Sequence, residues 1–452
     1  MTNKNVLFLV LDSLRKDRTS IYDDAIEFTP TLQDIADSSV TYENAVSQAP
    51  WTLPVHVSMF TGKYPWEHGV TQQKTYLNSS QDTFIQEFNG EGYSTGLITS
   101  NVWLTPHKGT AKDFDHVENF LGKKNNKFVA KISKQFNRIF DSLSQDSKRK
   151  AEKYIDKIFR FFSVDDSCKS RETVEATREY LSSVEDEDFF LFVNLMEPHE
   201  PYNPPKKYLE KHGVKDKSKI PDRQKDLFTQ DIDYGELKNI YDASADYTDD
   251  LVEEIINSLD ENNLREETVI VVVSDHGQAL GEDDIFGHQF TVDSTVTNTL
   301  MMIDNPEKES RNVEKPVELK KLHDLTPYHA GIREKPEEIT KEMVKGGYEF
   351  PSVFIGYVPD EKWDKYYKKY RYIQTDSTRT VKQVRQDEDE EITSKDLDTG
   401  KEVKTPENIK RELERIDENH GGLRENQGEN DSMENEEQEE EIKDRLEALG
   451  YS

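Results

Sequence analysis

Three apolar runs in this sequence break off into residues that bind cations or move protons. Val6–Leu11 passes directly into Asp12, Phe189–Leu195 into Glu197, Pro198 and His199, and Val269–Val273 into Ser274, Asp275, His276 and Gly277. An adjacent carboxylate and imidazole at a strand end can bind one cation, and a glycine after them lets the backbone turn sharply. The alternative for the same residues is an Asp-His turn whose side chains face solvent. A different chemistry is offered by Thr52, in the segment WTLPVHVSMFTGKYP from Trp51 to Pro65. Threonine is a good N-cap and Pro54 suits a first helical turn, so Thr52 reads as a cap. The second reading is a hydroxyl held where free N–H groups and the helix dipole favour an alkoxide or a transferred anion.

These residues need a frame that brings them together. Val6–Leu11, Thr95–Thr99, Phe189–Leu195, Val269–Ser274 and Leu300–Ile303 are short apolar runs bounded by polar residues and predict buried strands. Asp82–Phe88, Ser170–Ser183 and Tyr241–Leu259 predict helices between them. Alternation of this kind predicts an α/β layer structure with a mainly parallel central sheet and a site at the carboxyl ends of its strands. From about Pro336 the pattern changes to short strands, such as Tyr370–Gln374 and Thr380–Val384, and charged helical segments. The expected division is a catalytic domain over 1–335 with a basic helical insertion at about 121–165, a small subdomain of antiparallel strands and helices over 336–424, and an acidic linker with a terminal helix over 425–452.

Composition narrows the function. Against 59 Lys and Arg stand 91 Asp and Glu, a net charge of -32, with 33% hydrophobic residues. Net repulsion at this charge opposes nucleic acid as a main partner. The acidic excess fits a protein hydrated in a very salty cytoplasm, where a Debye length of about 3 Å at 1 M salt screens self-repulsion. The lone Cys168 excludes an intrachain disulfide. Neither a secretory signal nor a run approaching the roughly 20 apolar residues of a membrane span is visible, so a cytoplasmic location is expected. Positive charge concentrates in Phe128–Phe162, where Lys131, Lys134, Arg138, Lys153 and Lys157 accompany apolar residues at helical spacing. This basic hairpin reads first as an insertion packed by its apolar face. Its other readings are a lid over an anionic substrate and a surface touching anionic membrane. Oligomeric state is not encoded legibly.

Taken in order, four segments resemble the sulfatase and alkaline phosphatase-like superfamily: NVLFLVLDSLR at the start, WTLPVHVSMFTGKYPWEHGV around Thr52, NLMEPHEPYNPP in the middle, and VIVVVSDHGQALGE followed by FGHQF. The resemblance spans Asn5 to Gly331, and the terminal RLEALGY is similar to endings in the family. It implies a mixed sheet between helices, a metal-assisted nucleophile and a smaller C-terminal sheet. It also implies that Asp12, Asp275 and His276 bind one divalent cation together with the hydroxyl of Thr52 at the nucleophile position. His199 and His288 then fall where the family binds the ester oxygens or protonates the leaving group, a task suited to imidazole. The ligand set suits Mn²⁺, Mg²⁺ or Zn²⁺, with Ca²⁺ disfavoured by His276.

The departures from that resemblance select the reaction. Formylglycine sulfatases carry Cys or Ser within C/S-x-P-x-R, whereas this sequence has Thr52, Pro54 and His56, so neither the convertible residue nor its Arg is present. His56 either touches the substrate in place of that Arg or caps a backbone group. The second metal-site Asp is Ser13, the lysine of GKWHLG has no counterpart around Ser100–Trp103, and His288 replaces another lysine. Threonine nucleophiles resemble those of the phosphoesterase, phosphodiesterase and phosphoglycerol transferase branches. The expected function is a metal-dependent hydrolase or transferase of phosphate esters or diesters, acting on an anionic ester. The alternatives are a sulfuric ester hydrolase without the aldehyde and a catalytically idle binding protein of the same fold.

Overall fold

The computed structural model describes residues 4–120, 169–184, 187–220, 228, 232–351, 358–385 and 389–421. The basic segment Phe128–Phe162, Cys168 and the acidic tail beyond residue 421 lie outside the described residues.

Among the described residues, eight strands form the central sheet. Asn5–Leu11 runs parallel to Phe189–Leu195 on one side and to Thr268–Val273 on the other. Ser94–Thr99 and then His116–Asn119 extend the first side, also in parallel. On the second side Met301–Asp304 enters antiparallel to Thr268–Val273, followed by Val40–Tyr42 and the edge strand Arg311–Val313. The α/β expectation therefore holds, and the antiparallel Met301–Asp304 makes the sheet mixed.

The central strands are apolar without a break because both faces are covered. Side chains alternate across a strand, so even and odd positions meet different neighbours. Val6, Phe8 and Val10 join Phe190, Phe192, Val269 and Val271 in one core, against Leu53, Val57 and Phe60 of the Thr52–Thr61 helix. Leu7, Leu9 and Leu11 join Leu191, Val193 and Val272 in another, against Val174 and Leu181 of the Ser170–Ser183 helix and Leu251 and Ile255 of the Tyr234–Glu261 helix.

A five-stranded antiparallel sheet follows: Val344–Tyr348, Lys368–Gln374, Thr378–Arg385, Glu390–Asp396 and Glu402–Val403. It shares the first core, through Val344, Tyr348, Tyr370 and Tyr372. Tyr372 donates its hydroxyl proton to Ser47 O, Gly347 N–H donates to Gln48 O at 3.0 Å, and Tyr370 OH donates to Phe290 O at 3.1 Å. The closing helix Glu407–Gly421 sets Ile409, Leu413 and Ile416 against Ile373, Tyr64 and Trp66. Thus the C-terminal sheet buttresses the segments just before and after the Thr52 helix. No helix among the described residues is long and apolar enough to cross a membrane.

Gly277 has a reason other than the sharp turn its sequence context suggests, since it is absent from the left-handed positions. Its N–H donates to Val296 O at 2.7 Å, and a Cβ built there would stand 2.1 Å from Thr295 O. The backbone carrying Asp275 and His276 is pinned against the Ser294–Thr297 segment at a distance only glycine permits. Gly277→Ala should therefore force that backbone apart and destabilise the fold by about 1–3 kcal/mol, read as a lower denaturant midpoint at unchanged m. An unshifted midpoint would show that the segment moves freely.

Candidate active site

Because the central strands run parallel, their carboxyl ends share one edge, and Asp12, Asn101 and Asp275 arrive there from three of them. Asp12 N–H donates to Leu195 O at 2.9 Å, tying the first strand end to its neighbour. Thr52 comes to the same edge from the start of the Thr52–Thr61 helix. The helix begins at Thr52 itself, with Trp51 in the extended N-cap position. The Thr52 hydroxyl meets His276 Nε2 at 3.2 Å instead of capping the helix.

Asp12, Asp275 and His276 each present a ligand atom within 4.8 Å of the other two, and all three are fully buried. His276 Nε2 lies 3.4 Å from Asp275 Oδ2 and 3.9 Å from Asp12 Oδ1. Each donor is held by another group. Asp275 Oδ1 accepts from the N–H groups of Ser13 at 3.2 Å and His276 at 2.9 Å. Asp12 Oδ2 accepts from the amides of Asn101 at 2.8 Å and Asn194 at 3.4 Å. His276 Nδ1–H donates to Gly277 O at 2.9 Å, which leaves the Nε2 lone pair facing the carboxylates. Asp275 Oδ2, by contrast, is buried with no hydrogen-bond partner among the described residues.

That orphaned oxygen tests whether a cation fits. Burial, and secondarily Asp275, pushes the Asp12 carboxyl up to about 6, and burial pushes Asp275 up to about 7. Two buried carboxylates facing each other without a counter-charge resist ionising, and a divalent ion supplies that counter-charge. Two carboxylates, one imidazole lone pair and a hydroxyl form a suitable donor set. Ser13 takes the place of a third carboxylate. Its hydroxyl donates to Asp12 Oδ1 at 3.1 Å from a backbone with φ 61°, so it braces a ligand without adding charge.

The other predicted residues divide by environment. His288 stacks on His276 with ring centroids 4.2 Å apart, and His199 lies edge-on to His288 at 5.2 Å, so both border the carboxylate cluster. Burial holds the His288 imidazole well below its usual range. Burial alone would lower His199 too, but Glu200 and Asp12 outweigh it and raise the imidazole. His56 is fully buried behind Thr52: its Nδ1–H donates to Thr52 O at 2.9 Å, and burial depresses it to about 3. The Nδ1 contact is a backbone one, while Nε2 is buried with no hydrogen-bond partner among the described residues. His68 is bound to Ser58 Oγ at 3.1 Å and to Val70 N–H at 3.0 Å, a structural arrangement.

Sequence reasoning passed over Asn101, Asn194, Glu200 and Gln278. Asn194 had a signal, as the one polar residue inside FFLFVNL, where a buried amide must find a partner. Gln278 accepts from His288 Nδ1–H at 3.0 Å through Oε1 and donates through Nε2 to Tyr202 OH at 3.0 Å and to Glu200 Oε2. Its place one residue after Gly277 was a weaker signal.

Comparison with known proteins identifies relatives of the chain. An ulvan-active sulfatase of Formosa agariphila is 26% identical over 293 residues, which are 63% of this chain and 52% of that protein; the chain thus spans about half its length. YidJ of Escherichia coli, an uncharacterized sulfatase, is 25% identical over 76% of this chain and 71% of its own. PehA of Trinickia caryophylli, a multifunctional alkaline phosphatase superfamily protein, is 23% identical over 64% and 65%. Among solved structures, a phosphonate monoester hydrolase from Silicibacter pomeroyi shares the fold at TM-score 0.63 and 18% identity, over 92% of this chain and 94% of that one. The sequence model of the family described as Sulfatase matches residues 4–332, and with most of the chain covered, this protein belongs to the sulfatase family.

Proposed function

We propose that the chain is a divalent-cation-dependent hydrolase or transferase of phosphate esters or diesters that works through a phosphothreonine on Thr52. The observation that carries this reading is the hydroxyl of Thr52 at a helix start, 3.2 Å from His276 Nε2 and beside the Asp12–Asp275 pair. When bound there, the cation lowers the pKa of a neighbouring hydroxyl and neutralises charge on an ester oxygen. The protein supplies the rest. Thr52 Oγ1 gives its proton to water and attacks phosphorus, the bond to the ester oxygen breaks, and the leaving oxygen takes a proton from His199, the imidazole held above its usual range. Water or a second hydroxyl then displaces phosphate from Thr52 in line. A threonine ester has no second hydroxyl on its carbon to expel sulfate, whereas phosphorus remains open to attack. This chemical asymmetry favours phosphate over sulfate.

A sulfuric ester hydrolase is the second reading, favoured by the sulfatases among the relatives. The complete set of Asp12, Thr52, Asp275 and His276, with its buried and partnerless Asp275 Oδ2, speaks against an idle binding protein. Aryl phosphate monoesters and diesters assayed beside the matching aryl sulfate, in high salt with Mn²⁺, should show the phosphate hydrolysed faster. Faster sulfate release that vanishes in Thr52→Ala would reverse the two readings.

A further inference from the structure

Leu14 N–H donates to Leu11 O at 3.2 Å, so Leu11–Leu14 is a tight turn with Asp12 and Ser13 at its centre. Ser13 stands at φ 61°, in the left-handed region that the third position of such a turn can require and that suits glycine or asparagine. A serine there is strained, and strain of this kind persists where the surroundings over-determine the backbone. The conformation also has a use. It presents the Ser13 N–H to Asp275 Oδ1 at 3.2 Å, while the hydroxyl reaches Asp12 Oδ1 at 3.1 Å. One residue thus joins two carboxylates that arrive from different strands.

The turn is held by a side chain from elsewhere in the fold. Tyr241 lies on the Tyr234–Glu261 helix, which covers the face of the sheet away from the Thr52 helix, and it is fully buried. Its hydroxyl donates to Ser13 O at 2.7 Å and accepts from Arg15 N–H at 2.7 Å. These are the backbone groups on either side of Leu14. Ser13 and Arg15 are buried too, so the hydroxyl does here what water would do at an exposed turn. Arg15 ties the same turn to the segment after His276, since its Nη1 donates to Gln278 O at 3.1 Å and to Glu282 Oε1 at 2.6 Å. The turn that Tyr241 holds is therefore bonded to both segments that carry cation donors.

We infer that Tyr241 is a positioning residue for the cation site: its hydroxyl holds Ser13 in the left-handed turn that sets the direction of Asp12 and Asp275. It acts through Ser13 and not on the cation itself. The inference rests on the proposed function only for what the bound cation does to an ester.

The test is the Mn²⁺ affinity of the full chain, stripped with chelator and measured by equilibrium dialysis in high salt without substrate. Tyr241→Phe keeps the ring and removes the hydroxyl. It should weaken Mn²⁺ binding by about 10–100-fold, as the loss of a group that orients a ligand does. Tyr93→Phe is the control. Tyr93 is likewise buried and donates its hydroxyl proton to Lys4 O at 3.0 Å, at the other end of the first strand, so its loss should lower stability and leave the affinity unchanged. Far-UV circular dichroism at the temperature of the dialysis establishes that each variant is folded. A second pair reads the turn without altering Tyr241. Ser13→Ala and Ser13→Gly both lose the hydroxyl, but alanine resists a positive φ and glycine accepts it, so Ser13→Ala should bind Mn²⁺ about 3–10-fold more weakly than Ser13→Gly. Affinity of Tyr241→Phe within about twofold of the wild type, or equal affinities in the two Ser13 variants, would overturn the inference. The phosphoester reading fails separately: a wild type that binds Mn²⁺ and hydrolyses no phosphate would remove that reading and leave the role of Tyr241 standing.

Discussion

Thr52→Ala is expected to lower hydrolysis of an aryl phosphate by about 10⁴-fold or more, with cation binding weakened far less. Removing a nucleophile abolishes the covalent route, and what survives is the modest acceleration due to binding and electrostatics. Thr52 is 3% exposed and starts a helix whose ten residues are all buried. Alanine there removes one hydroxyl and one methyl without disturbing Leu53, Val57 or Phe60 in the core beneath. The variant should therefore fold and retain the carboxylate cluster. Mass spectrometry after a rapid acid quench should find a phosphorylated peptide containing Thr52 in the wild type and none in the variant. Residual activity within tenfold of the wild type would mean that another group attacks the ester.

The second large effect is expected from Asp275→Asn. The amide is nearly isosteric and keeps Oδ1 as acceptor for the Ser13 and His276 N–H groups, but it removes the charge on the partnerless oxygen. Affinity for Mn²⁺ or Zn²⁺ at this site should fall by more than about 100-fold, beyond the 10–100-fold typical of losing only a supporting contact. Turnover at limiting metal should fall with it. Stability should move in two directions. A cation at about 1,000 times its Kd stabilises the wild type by about 4 kcal/mol, and this metal-dependent rise in Tm should largely disappear in the variant at the same concentration. Without metal, the variant should melt no lower than the metal-free wild type near neutral pH, since one of two facing buried charges has gone. A metal-free variant that melts far below the metal-free wild type would assign Asp275 a structural role instead.

Much of the frame could be read directly because strand period and burial leave a plain mark on the sequence. Unbroken apolar runs at Val6–Leu11 and Val269–Val273 signal strands covered on both faces, and parallel strands place whatever follows them on one edge. Asp12, Asp275 and His276 were legible for that reason. The Ser170–Ser183 helix has the predicted bounds. The long helix begins at Tyr234, before the expected Tyr241, because Asp233 accepts from Glu236 N–H at 3.1 Å and opens it as an N-cap. That Asp was visible, but the polar stretch behind it weakened the apolar periodicity.

Periodicity tells which face a residue occupies and says little about which distant residue shares that face. The antiparallel entry of Met301–Asp304 depends on how the chain returns to Thr268–Val273, and four apolar residues are compatible with either direction. The sequence allows His56 either a substrate or a backbone contact, and it is packing against Phe60 and Phe192 that turns Nδ1 to Thr52 O. Asn101 reaches Asp12 across 89 positions, and Ser13 reaches Asp275 across 262. An amide or hydroxyl becomes a brace for a ligand only when a folded neighbour leaves it no water to bind. Residue type and strand-end position disclosed the atoms able to bind a cation, whereas the partners that aim those atoms came from tertiary packing.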